Sequence, residues 1–261
     1  MSSYPIGFFD SGVGGTSIWK EVYELLPNES TIYLADSKHA PYGPKGKDTI
    51  IELSIKNTEL LLEHNCKLIV VACNTATTNA INYLRSTYKV PFIGIEPAIK
   101  PAALQTKSNT IGILATKGTL SSELFHRTSD LYANNTQVIE QVGEGLVELV
   151  ESGKLNSDET RYLLKKFLKP MVAANIDHLV LGCTHYPYLI PIIKELIPEH
   201  INIIDSGEAV ARQTKAILSK HNLLSGESDN TGNQFYTNGN NLEVMKMLLD
   251  NNDFKVEYLE F

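Results

Sequence analysis

Two cysteines stand where a thiol can do chemistry. Cys73 ends the run Leu68-Ile69-Val70-Val71-Ala72-Cys73, and Cys183 ends the run His178-Leu179-Val180-Leu181-Gly182-Cys183. Each run reads as a buried strand. Polar residues follow directly, Asn74-Thr75 after the first and Thr184-His185 after the second, and each pair leads into a helical pattern. A thiol at the carboxyl end of such a strand lies close to the next helix N-terminus, where free N–H groups and the helix dipole stabilise a thiolate. A free cysteine can equally fill core space and nothing more. Cys66, in Glu63-His64-Asn65-Cys66-Lys67, precedes its strand and reads as structural. Two opposed thiols suit inversion of a carbon centre. One thiolate removes a proton from one face, the other thiol returns a proton to the opposite face, and the roles exchange in reverse. The developing carbanion needs donors aimed at the adjacent carboxylate, in a closed cleft.

Other candidates surround this pair. Phe9-Asp10-Ser11-Gly12-Val13-Gly14-Gly15-Thr16 is a glycine-rich strand-to-helix turn. It lacks the third glycine of a dinucleotide fingerprint, where Ser17 stands, and the Gly-Lys-Ser/Thr of a P-loop. It can present N–H groups to a carboxylate, or be a tight turn with an Asp/Ser cap. Pro41-Tyr42-Gly43-Pro44 is a turn in a polar loop. Asn74, Thr75 and Thr184 can bind substrate or cap helices. His185, two residues from Cys183, can assist proton transfer or tune the thiol. The absence of CxxC and HExxH spacing argues against a metal site.

Ten short apolar runs position these residues: Ile6–Asp10, Thr31–Asp36, Leu68–Cys73, Phe92–Glu96, Thr110–Thr116, Gln137–Val142, His178–Cys183, Asn202–Asp205, Gln234–Thr237 and Lys255–Leu259. Their Val/Ile/Leu character suits parallel strands covered on both faces. Amphipathic segments lie between them, Asp48–His64 and Asp158–Ala174 most clearly. This rhythm predicts a doubly wound α/β fold, with a (β/α)₈ barrel as the alternative. Pro97 and Pro101, then Asp205-Ser206-Gly207, punctuate the chain. They suggest two similar lobes: residues 1–97 plus 206–261, carrying Cys73, and residues 98–205, carrying Cys183. A faint internal echo agrees, since the two cysteine runs resemble one another and Asp10-Ser11-Gly12 resembles Asp205-Ser206-Gly207. The active site would lie in the cleft between the lobes. Ser225–Asn233 reads as a surface loop.

The chain has 261 residues, 43% hydrophobic and 20% charged, and a net charge of −7. An acidic surface repels phosphate backbones, which argues against nucleic acid as a partner. No apolar stretch is long enough for a membrane span, and the N-terminus shows no signal-peptide pattern. Three cysteines do not form a disulfide framework, so a cytoplasmic protein with reduced thiols is expected.

Four motifs together resemble the glutamate racemases of the aspartate/glutamate racemase family. They are Gly7-Phe8-Phe9-Asp10-Ser11-Gly12-Val13-Gly14-Gly15, Pro41-Tyr42-Gly43, Val71-Ala72-Cys73-Asn74-Thr75-Ala76 and Leu181-Gly182-Cys183-Thr184-His185-Tyr186-Pro187. The resemblance implies a cofactor-independent, homodimeric enzyme that supplies D-glutamate for peptidoglycan, with Cys73 and Cys183 as the acid–base pair. It implies that Asp10 supports Cys73 and His185 supports Cys183. Asp10, Ser11, Pro41, Tyr42, Gly43, Asn74, Thr75, Thr184 and His185 would line the substrate site. Thr116 and Thr119 resemble the substrate-binding turn opening the second lobe. Glu151 matches the family's supporting glutamate, with Glu148 as its rival. No lysine stands in a recognisable pyridoxal-phosphate context, in keeping with unaided thiols. Relatives of this superfamily acting on aspartate, a Cys183–His185 thiol hydrolase and a two-lobed binding protein are the competing readings. In the hydrolase reading, a two-residue offset at a strand end is expected to splay the side chains apart.

Overall fold

The computed structural model describes residues 3–133, 135–226, 232–250 and 254–261. The middle of the loop expected at Ser225–Asn233 lies outside them. Ten strands are seen among the described residues: β1 Ile6–Asp10, β2 Thr31–Ala35, β3 Leu68–Val71, β4 Phe92–Gly94, β5 Thr110–Ala115, β6 Gln137–Val142, β7 His178–Gly182, β8 Asn202–Ile204, β9 Asn233–Thr237 and β10 Lys255–Tyr258. They form two open sheets rather than a barrel. One has the order β10-β9-β2-β1-β3-β4 and the other β6-β5-β7-β8. All neighbours run parallel.

Helices connect the strands. They are α1 Thr16–Leu25, α2 Lys47–Glu63, α3 Asn74–Thr87, α4 Ile99–Gln105, α5 Lys117–Leu120, α6 Glu123–Tyr132, α7 Leu146–Glu151, α8 Asp158–Ala173, α9 Ile190–Leu196, α10 Gly207–Lys220 and α11 Leu242–Leu249. The central strands β1, β2, β3, β5 and β7 are buried at every residue, as parallel strands covered by helices must be. The edge strands β6 and β8 are half-buried or exposed, so the expectation of cover on both faces fails at the edges of the smaller sheet. An aromatic cluster supports the larger sheet. Trp19 packs on Tyr23, Phe235 and Phe254, with ring centroids 4.7 to 5.1 Å away.

Register decides what meets at the strand ends. Phe9 pairs with Val71 and Asp10 with Ala35, so Asp10 and the Ala72-Cys73 step leave the larger sheet side by side. In the smaller sheet Ala115 pairs with Gly182, so Thr116 and Cys183 leave it together. In open α/β sheets the crevice beyond the carboxyl ends of strands is where ligands bind. Here the two crevices meet. Ser17 Oγ donates to the Thr184 carbonyl at 2.8 Å, and Thr16 Oγ1 lies 2.6 Å from the Tyr188 hydroxyl.

Candidate active site

Cys73 itself caps α3. Its backbone is extended, and its sulfur accepts from the Ala76 amide at 3.4 Å. Asn74 and Thr75, the cap candidates by sequence, lie inside the helix instead. The Cys73 thiol also lies 3.7 Å from Ser11 Oγ. Burial and then the charge of Asp10 push this thiol well above the usual range, against the hydrogen bonds from Ala76 and Ser11.

Cys183 has a different surrounding. Its sulfur lies 3.7 Å from Nδ1 of His185. The expected splaying does not occur, because His185 has helical backbone and opens the turn Tyr186–Leu189, which curls the ring back towards the sulfur. The other ring nitrogen, Nε2, lies 2.5 Å from Oε1 of Glu151. Burial opposes a charge on His185. The partners on both ring edges, Cys183 and Glu151, outweigh it and lift the imidazolium well above the usual histidine range. Glu148, the rival carboxylate, is exposed one turn earlier on α7.

The glycine-rich turn holds carboxylates, but they are the protein's own. Gly15 N donates to Asp10 Oδ2 at 2.7 Å, and Val13 N donates to Glu151 Oε1 at 2.7 Å. Thr184 Oγ1 and Ser11 Oγ donate to the two Asp10 oxygens at 3.3 Å each. Burial raises Asp10, and Glu151 adds to this, while His185 and the Gly15 amide oppose it. Bare backbone is required at two positions. A Cβ on Gly12 would lie 1.8 Å from Glu151 Oε1, and one on Gly14 would lie 2.2 Å from His185 Nδ1.

A small cavity, about 10 Å³, sits between the thiols. Cys73 and Cys183 line it together with Ser11, Pro41, Tyr42, Gly43, Asn74, Thr75, Thr116, Val147, Thr184 and His185. Asp10, Glu151 and Thr119 are outside this lining and stand one layer behind it. Thr119 completes a triangle of hydroxyls, 3.3 Å from Thr75 and 3.0 Å from Thr116, which are themselves 2.8 Å apart. The Tyr42 hydroxyl is engaged behind the wall. It donates to Asp36 at 2.5 Å and accepts from Asn57 at 3.2 Å, so its ring faces the cavity.

Three contributors went unread in the sequence. Val147 is an ordinary core residue of α7 by pattern. Ser37 and Asn241 both donate to Glu151 Oε2, Ser37 at 3.2 Å, from segments without a motif. Only the fold brings residues 37, 151 and 241 together.

A family model for Asp/Glu/hydantoin racemases matches residues 16–214. The chain belongs to the Asp/Glu/hydantoin racemase family. Among similar members, the glutamate racemase of Ectopseudomonas mendocina is 48% identical over 225 residues, covering 86% of both chains. The solved glutamate racemase isoform RacE1 of Bacillus anthracis superposes with a TM-score of 0.88 at 30% identity, over 98% of this chain and 97% of that one. The Escherichia coli glutamate racemase, solved with L-glutamate and an activator, gives 0.87 at 33% identity and 98% of both chains. The two-lobed racemase fold therefore spans this whole chain.

Proposed function

We propose that this chain interconverts L- and D-glutamate by two-base chemistry at Cys73 and Cys183. The observation that carries the proposal is that both sulfurs line one small cavity while their supports differ. An imidazolium at His185, held by Glu151, stabilises negative charge on Cys183. Burial and Asp10 keep the proton on Cys73. Cys73 thus rests as a thiol, facing Cys183 across the cavity. Cys183 takes the α-proton of one enantiomer, and Cys73 delivers its proton to the other face. Solvent exchange or the reverse turnover resets the pair. The other enantiomer meets the opposite proton arrangement.

The Thr75–Thr116 pair supplies hydroxyls on the cavity wall for the substrate's carboxylates. Aligning donors, acid and base in a dry site supports the carbanion. Enantiomers have equal free energies in water, so kcat/KM must be the same in both directions. The unequal thiols appear as unequal kcat and KM.

The wider setting is a cytoplasmic homodimer that makes D-glutamate for peptidoglycan. Residues 1–97 plus 206–261 and residues 98–205 form its two lobes. The test is incubation of either enantiomer in heavy water without added cofactor. Deuterium at the α-carbon and loss of optical rotation are expected. Retention of the α-proton by both enantiomers sinks the proposal.

A further inference from the structure

We infer that the substrate enters through a cationic vestibule at the Gly43–Gly118 wall, and that Lys45, Lys117 and Arg127 draw the dicarboxylate in. This rests on the glutamate reading above. The cavity between the thiols has a volume of only about 10 Å³, so its surroundings must give way to admit a ligand. Two surface hollows adjoin it. One shares Gly43 with the cavity wall and is lined by Lys45, Lys47, Lys117 and Arg127, with Glu123 as its one carboxylate. The other shares Pro41 and Val147 with the cavity wall and carries Glu148 and Glu151 with no lysine or arginine.

Charge decides between them. At neutral pH the substrate is a net anion, and the protein carries a net charge of −7. The acidic hollow repels it. Lys117 and Arg127 are exposed and Lys45 half-buried, and none of the three joins an ion pair among the described residues. Such unpaired cations focus an attractive field into a hollow that an otherwise negative surface lacks.

The wall itself is built for close approach. A Cβ on Gly118 would lie 2.8 Å from the Gly43 carbonyl and 2.8 Å from Thr75 Cγ2. Asn79 Nδ2 donates to the Gly118 carbonyl at 3.2 Å, and the Thr75–Thr116 bond lies just inside. These contacts join a loop and helix of the larger-sheet lobe to the turn after β5. A small parting of the lobes there opens the cavity onto the cations.

The test compares wild type with a K45Q/K117Q/R127Q variant and with E148K in the other hollow. Initial rates are measured with both enantiomers from low to high ionic strength. The triple variant is expected to raise KM by about 10-fold at low salt, the low end of electrostatic steering effects, with kcat unchanged and a flatter salt dependence. Both enantiomers should shift alike, because capture precedes discrimination of the faces. E148K should leave KM and the salt dependence as in wild type. An unchanged KM in the triple variant, a loss confined to kcat, or a larger response to E148K overturns the inference. Wild-type turnover of glutamate in the same assay separates this outcome from failure of the glutamate reading itself.

Discussion

The Glu151 carboxylate lies 2.5 Å from Nε2 of His185, on the opposite ring edge from the Cys183 sulfur. The same oxygen accepts from the Val13 amide, so the carboxylate that charges the imidazole also ties α7 to the glycine-rich turn. Glu151→Gln keeps the size but loses the charge. A fall in kcat of about 100-fold is expected, the lower end of what positioned proton transfer supplies. Glu151 raises His185, so its loss lets the imidazolium deprotonate at lower pH, and the alkaline limb of the rate profile moves down. Glu148→Gln serves as the control and should behave as wild type in a pH–rate series.

Cys73 must hold a proton to act as acid. Burial and Asp10 push its thiol upward, so the alkaline limb of kcat/KM should lie above the free-thiol value of about 8.5. Asp10→Asn removes the charge that raises it. The limb set by Cys73 should then shift to lower pH. An unmoved limb in this variant contradicts the role given to Asp10.

The glycine-rich turn has no room for side chains. Gly12→Ala places a methyl group on Glu151 and Gly14→Ala places one on His185. Each should cost most of the activity, because the carboxylate or imidazole must move from its partner. Circular dichroism should show an intact fold in the same samples, since each clash is with one polar side chain of the site rather than with backbone or the apolar core.

A buried ion pair away from the site offers a stability test. Lys67 Nζ lies 2.6 Å from Glu29 Oε2, and both side chains are at most 3% exposed. Lys67→Met leaves Glu29 buried without its cation and should destabilise the protein by about 3–5 kcal/mol. Glu29→Leu added to it should recover most of the loss. Urea unfolding with an unchanged m-value would report both effects.

Much of this architecture was legible because parallel strands are simple to read. All ten strands follow from short apolar runs, and misplacements are confined to ends. The runs overshoot the paired strands at Asp36, Ala72-Cys73, Ile95-Glu96, Thr116, Cys183, Asp205 and Leu259. Those ends are where backbone pairing stops and side chains become available to a ligand. The site motifs were legible because each is contiguous. The Ser37–Glu151–Asn241 contact was not, because no local pattern links residues so far apart. Nor did spacing show that His185 faces Cys183. That depended on the backbone turn after Thr184, which periodicity does not encode.

Two thiols acting from opposite faces of one substrate leave a distinct signature when either is removed. Cys73→Ser and Cys183→Ser test for it most directly when each enantiomer of glutamate is followed separately in heavy water by proton NMR. Neither variant should racemise. Each should exchange the α-proton of one enantiomer, and the two variants should act on opposite enantiomers. Racemisation by either variant, or exchange of the same enantiomer by both, would contradict the account.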